Sequence, residues 1–378
     1  MRRVFEHKPG ARSAPVRGVL LSFVALLGSA LLMWGISASA QDERSSYEAT
    51  ELVSNVPGRA ETTDSSLVNP WGLAIVPGGP WGVANEGNGR VTLYGGDGTA
   101  FPGLSPRVLT VPVNPGGVFD NARPTGIVFN STNDFNLTPG GPARLLAATL
   151  DGIIVGWSSL ADEYGAALLV DNSPEAAYTG ATIALDGGNV LYVANFNQGR
   201  VETYGTDFSA VRLNDQAFTD PGIPDGFSPY NIQNINGILF VTFAEPLQGG
   251  VIAAAGEGSG YVDAFDPEGN LVLRFQHGPW FDAPWGVALS PSRFGDFGLR
   301  LLVGNAGSGS IASFDPLTGE FLGYLPGADG YPLVVPGLHG LGFGNDGTAG
   351  PATTLYFTAG FGNAGRSAFG SITESTRP

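Results

Sequence analysis

From about residue 50 onward, short apolar runs alternate with turns rich in Gly, Pro, Asn and Asp, the pattern of many short strands. The runs repeat. A first motif reads Pro70-Trp71-Gly72-Leu73-Ala74-Ile75, Pro124-Thr125-Gly126-Ile127-Val128-Phe129 and Pro284-Trp285-Gly286-Val287-Ala288-Leu289, with looser copies at Tyr178–Ile183, Pro229–Gln233 and Leu338–Phe343. Its second positions are spaced by 54, 54, 51, 55 and 54 residues, a mean of 53.6. A second motif follows in each unit, as in Trp81–Asn85, Leu145–Thr149, Leu191–Asn195, Leu239–Phe243, Leu301–Asn305 and Leu355–Ala359. A third strand then ends near an aromatic residue (Tyr94, Trp157, Tyr204, Phe265, Phe314), and a hairpin turn leads to a fourth, such as Leu271–Phe275 or Phe321–Leu325.

Four short strands per unit define a β-propeller blade. No window sustains the three-and-four apolar spacing of a helical repeat. The chain has 378 residues, and its 338 residues beyond position 40 hold six such units with only short termini left over. The expected fold is all-β: a six-bladed β-propeller with four-stranded blades, occupying residues 41–378 as a single domain. Glu51–Val56 is the candidate strand that pairs with the last blade and hides a free edge. Within the first motif the third residue is Gly in five copies and Asn231 in the other, and the next residue is apolar in all six. That alternation suits inner strands converging on an axis and packing between neighbouring blades.

Composition agrees with this reading: 58 Gly, 28 Pro and 14% charged residues in a 43% apolar chain. The absence of Cys excludes disulfides, thiolate metal sites and Cys nucleophiles. Residues 1–40 read as a secretory signal, with Arg2, Arg3, Lys8, Arg12 and Arg17 preceding an apolar stretch from Val19 to Ile36 and a small-residue cleavage site at Ala38-Ser39-Ala40. Arg2-Arg3-Val4-Phe5 matches a twin-arginine signal only in part, so the export route stays open. An uncleaved anchor is the competing reading of the same 18 residues. Cleavage after Ala40 leaves 13 basic against 33 acidic residues, a net charge of −20, with no Lys. Such a chain repels phosphate backbones, so nucleic acid is not an expected partner, and Schiff-base chemistry is excluded.

The N-P-W-G-L opening at 69–73, the V-A-N strand at 193–195, S-P-Y-N-I-Q at 228–233, A-P-W-G-V at 283–287 and L-Y-F-T-A-G at 355–360 together resemble a family of uncharacterised secreted bacterial propellers. The likeness spans roughly residues 50–372 and is more specific than a general similarity to NHL-repeat propellers. It implies fold and export but brings no established catalytic residues. Some members of that family end in a PEP-type sorting anchor; the present sequence stops at Ser371–Pro378 without one, so release in soluble form is expected.

Two constellations carry candidate chemistry. By symmetry Trp71, Thr125, Thr179, Tyr230, Trp285 and His339 encircle one mouth of the central channel. They form either a stacking platform for a sugar, aromatic or lipid fragment, or a plug that packs on itself. Asn85, Asn195 and Asn305 end second strands, and with Glu86, Asp151 and Glu245 they are the candidate ligands for calcium. Gluconolactonase-like propeller hydrolases resemble that arrangement, using Glu, Asn and Asp at the channel mouth. The competing reading is that these Asn residues cap Gly-containing turns. No G-x-S-x-G nucleophile motif occurs; of the two histidines beyond the signal, His277 and His339, the second sits in the ring. Gly342–Gly347 and Gly360–Gly365 match G-x-G-x-x-G, but neither opens a helix after a strand, so they are turn glycines. The sequons at Asn130 and Asn136 are set aside under the bacterial resemblance.

The reading carried forward is a secreted or periplasmic, non-enzymatic binding or scaffolding disc. It is expected to be a monomer with no stable membrane insertion after signal cleavage, and to engage an envelope or extracellular protein, a glycan or a small molecule. No cofactor is expected. The alternative is a calcium-dependent lactone or ester hydrolase.

Overall fold

The computed structural model describes residues 45–375 apart from 77, 102–107, 114–120, 163–164, 186–187, 248–250 and 363–364. The signal at residues 1–40, with its cleavage site, lies outside the described residues. Six antiparallel sheets follow one another in chain order, each with its first-motif strand innermost. The inner strands are Pro70–Ile75, Pro124–Phe129, Tyr178–Leu185, Ser228–Ile235, Pro284–Leu289 and Leu338–Phe343. The six-bladed β-propeller read from the repeat is thus the observed fold. The described residues hold a single helical element, the 3₁₀ turn Gly295–Phe297.

Each second motif forms the second strand, because its apolar and small residues are buried on both faces between two blades. The aromatic residues Tyr94, Trp157, Tyr204, Phe265 and Phe314 close the third strands and are all buried. The cores lie between adjacent sheets. Phe240, Val262 and Ala264 of the fourth blade pack against Val287, Leu301, Val303 and Phe314 of the fifth. Ala84, Val91 and Leu109 of the first meet Ile127, Leu145 and Val155 of the second in the same way.

Two details depart from the repeat. The closing strand runs over Ser46–Ser54 rather than Glu51–Val56, pairing antiparallel with Ser367–Ser375 from Ser46↔Ser375 to Ser54↔Ala368. Its polar sequence hides the strand, yet Tyr47 is buried between the last two blades and donates to the Phe294 carbonyl (2.8 Å). The third blade has three regular strands. Its chain turns back at Gly205–Ser209 and makes one bridge, Tyr204↔Ala210, with Val211 N–H donating to Thr203. It then leaves the sheet as a linker that docks Phe218 onto the fourth blade, where Phe218 N–H donates to Gly269.

The repeated Gly is where inner strands meet. A Cβ at Gly72 would lie 2.2 Å from the Thr125 carbonyl oxygen, one at Gly286 2.3 Å from that of His339, and one at Gly340 2.8 Å from that of Trp71. Gly126 and Gly180 abut the next blade's backbone in the same way. Asn231 holds the sixth place and extends its Nδ2 to the Trp285 carbonyl at 2.8 Å. Forcing a methyl group into these contacts moves backbone, not a flexible side chain, so Gly286→Ala is expected to lower stability by about 3 kcal/mol. Gly188→Ala, where a Cβ meets nothing within 4 Å, should change it by less than about 0.5 kcal/mol. Thermal unfolding of the two variants side by side checks this.

Candidate functional site

All six inner strands break register at the ring position: between Pro70 and Leu73, Tyr178 and Gly180, Pro229 and Asn231, Pro284 and Gly286, and Leu338 and Leu341, and in the second blade opposite Ala147–Thr149. A β-bulge adds one residue and re-aims its side chain. In the third, fourth and fifth blades the extra residue is the ring residue, and in the other three the ring residue and the Gly after it together face one residue; the six ring side chains come together around the axis.

They pack on one another. Trp71 stacks on His339 (ring centroids 4.4 Å apart, planes at 25°) and meets Tyr230 and Trp285 edge-on at 6.1 and 6.2 Å. Trp285 spans the axis: its Nε1 donates to the carbonyl of Thr179 two blades away (3.1 Å). Thr125 Oγ1 donates to the Tyr178 carbonyl at 2.6 Å and thereby ties the second blade to the third. Thr179 Oγ1 donates to the Ala194 carbonyl of its own blade at 3.5 Å. Phe196, Ala244 and Ala283 complete the cluster, and no ring residue is more than 8% exposed. A partly open pocket of about 10 Å³, bordered by Gly72, Gly126, Asn231, Trp285, Gly286 and Gly340 on the inner strands, has room for about one water.

Burial sets the protonation of the ring. His339 is pushed down to about 4 because its charged form has no water around it, while its Nδ1 donates to the Gly337 carbonyl (3.0 Å) and holds one neutral tautomer. Burial, with the nearby Glu86 charge, raises the Tyr230 hydroxyl well above its usual range.

Of the six candidate cation ligands, the structure brings Glu86 and Asp151 together through a residue the sequence did not single out. Glu86 is fully buried, paired with the Arg123 guanidinium and accepting from Asn69 Nδ2 at 2.5 Å. The Arg123 backbone N–H donates to Asp151 Oδ2 (3.0 Å). Burial raises the Asp151 carboxyl to about 6, opposed by Arg123 and helped by Glu86. The only hint in the sequence is that Arg123 directly precedes a first motif, as Asn69 does.

Two of the three Asn side chains serve turns and linkers. Asn85 instead binds within its sheet: its Nδ2 donates to Thr92 Oγ1 (3.0 Å) on the third strand and to the Val83 carbonyl (3.2 Å), and its Oδ1 is buried without a hydrogen-bond partner among the described residues. Asn195 Oδ1 accepts from Ala177 (3.3 Å) while its Nδ2 donates to Glu202 (2.9 Å). Asn305 accepts from Asp282 N–H and donates to the Trp280 carbonyl, both at 2.9 Å. Glu245 is exposed, and among the described residues no group of three or more His, Asp or Glu is placed to hold a metal ion. His277 is exposed too, stacked on Tyr261 at 4.2 Å.

Fold and site together define a class: a six-bladed propeller whose axis is occupied at the ring by its own aromatic residues. No family model matches the chain. It is 30% identical over 309 residues to the uncharacterized protein R648 of Acanthamoeba polyphaga mimivirus, covering 78% of this chain and 73% of that protein. It is 28% identical over 305 residues to protein L690 of the same virus, covering 78% of each. The chain belongs to the family of R648; these relatives are viral, and the bacterial origin expected from the motifs is not supported by them. Among solved structures, a protein of unknown function from Bacteroides thetaiotaomicron superposes with a TM-score of 0.50 at 12% identity, covering 88% of this chain and 77% of that one. That likeness concerns the fold alone.

The buried imidazole gives a pH dependence with a definite sign. The folded-state pKa of His339 lies below its unfolded value, so the stabilisation is complete above about 6.5 and is lost as pH falls toward 4. The loss is at most ~3 kcal/mol. Histidine NMR should show His339 neutral and Nδ1-protonated down to about pH 4, and His339→Phe should flatten the stability profile between pH 4 and 6.5.

Proposed function

We propose that this protein is an exported, non-enzymatic binding disc whose contact surface is its periphery and end faces rather than its channel. The observation that carries this reading is the self-packed ring. Trp71, Tyr230, Trp285 and His339 spend their faces on each other, and Trp285 bridges the axis to Thr179. A ligand could enter only by displacing side chains whose burial contributes several kcal/mol. The disc offers instead a rigid rim, with exposed apolar side chains such as Ile252 and Tyr331 at the end of the blades that carries the ring. Its partners are an envelope or extracellular protein or a glycan. The signal-like residues 1–40 support export.

A second reading, the calcium-dependent hydrolase, draws on the proximity of Glu86 and Asp151. In this structure Arg123 already supplies positive charge between them. The two readings part in one experiment. Unfolding is followed in EDTA and then in millimolar calcium, because binding to the native state alone raises the transition by mass action. The disc predicts no shift; a calcium-dependent rise reversed by EDTA, with turnover of lactones or esters, overturns it. In parallel, Trp71→Ala should cost about 3–5 kcal/mol, the loss expected of a core residue. A Trp71→Ala variant as stable as the parent would mean that the ring is a vacant platform.

A further inference from the structure

The third-to-fourth blade linker is fastened by charged groups that no binding or catalytic role accounts for. Asp220 lies in that linker, 8% exposed. The guanidinium of Arg274, on the fourth strand of the next blade, grips it through Nε and Nη2, the latter at 2.5 Å from Oδ1. The same Oδ1 accepts from Gly222 N–H at 2.7 Å, closing the linker's turn. Asp263 stands directly across the ladder from Arg274, on the third strand, and is 2% exposed. Its carboxyl meets that of Asp220, and its Oδ2 is buried without a hydrogen-bond partner. Two carboxyls thus share one guanidinium whose fork is already committed to Asp220. The contact between them is favourable only when one carries a proton and donates it to the other. The committed one is Asp220, so the proton belongs to Asp263.

We propose that Asp220, Asp263 and Arg274 form a proton-operated latch: with Asp263 protonated the linker is bound to the fourth blade, and ionisation of Asp263 loosens it. The charged groups facing Asp263 are Asp220 from the linker and Arg274 from the adjoining strand. Burial, and then the Asp220 charge, raise the Asp263 carboxyl to about 8, while the Asp220 carboxyl is lowered by Arg274 and by Gly222 N–H against the cost of burial. The sign follows by linkage. The closed latch holds a proton that the open, hydrated carboxyl releases near pH 4, so each pH unit between about 4 and 8 favours opening by up to tenfold, with no further change above. The opened segment is the stretch around Phe218, whose N–H bond to Gly269 and packing against Tyr192 and Phe265 hold the linker down.

Hydrogen exchange of the full chain between pH 5 and 8, corrected for the intrinsic exchange rate, tests this. The amides of Ala217–Ile223 should lose protection by up to tenfold per pH unit, while those of the first blade's third strand hold theirs. In Asp263→Asn, whose amide still donates to Asp220, protection of the linker should become independent of pH. A flat profile in the parent protein, or the same slope in Asp263→Asn, overturns the proposal. Should that variant fail to fold, Asp220→Asn serves: carboxyl ¹³C NMR should then show the Asp263 midpoint at least one unit lower than in the parent. An unchanged midpoint also overturns it. None of these readouts depends on calcium or on a partner, so the latch and the binding disc fail separately.

Discussion

The close approach of neighbouring inner strands at the axis is the constraint on which the remaining structure depends. At Gly72, Gly286 and Gly340 the missing side chain lets the next blade's carbonyl come nearer than any Cβ would permit. Six blades meet only if every junction is this tight. Where Asn231 takes the place of Gly, its amide is spent on the Trp285 carbonyl, so the junction is held by a hydrogen bond in place of a van der Waals contact. The apolar residues that follow, from Leu73 to Leu341, then face the adjoining sheets and build the cores between blades.

The bulges follow from the same geometry and create the plug. An ordinary strand would send Trp71 and its counterparts into the spaces between sheets. One extra residue per blade turns them toward the axis, where the large side chains of the first, fourth, fifth and sixth blades fill the space left by Thr125 and Thr179. The channel is therefore sealed by unlike residues in equivalent positions. The cost is several buried polar atoms, met mostly by backbone carbonyls beside the ring; Trp71 Nε1 is left without a partner among the described residues.

Blade number, strand order and the ring's membership were legible because a 54-residue period and a small residue at one fixed place survive sequence drift. The start of the closing strand was not, since Ser45-Ser46-Tyr47-Glu48 shows alternation only once its partner strand is known. The three-stranded blade was hidden for a related reason: Val211–Leu213 is apolar enough for a fourth strand, but Phe218 gains more by docking on the next blade. At the candidate site, residue type alone pointed to Asn85, Asn195 and Asn305 as ligands, whereas the hydrogen bonds of Asn195 and Asn305 belong to turns and linkers and those of Asn85 to its own sheet. Arg123 was missed because nothing local marks a residue whose role is to neutralise a carboxylate from another blade.

The central structural claim is that the ring closes the axis with its own side chains. Indole N–H exchange, read by NMR for each Trp, tests it most directly. Trp285, bonded to Thr179 across the axis, and Trp71, buried beside it, should exchange more slowly than Trp280, which is half-buried and whose indole N–H donates to the exposed Gln276. Exchange of Trp71 and Trp285 as fast as that of Trp280 would mean an open channel mouth and would contradict the account.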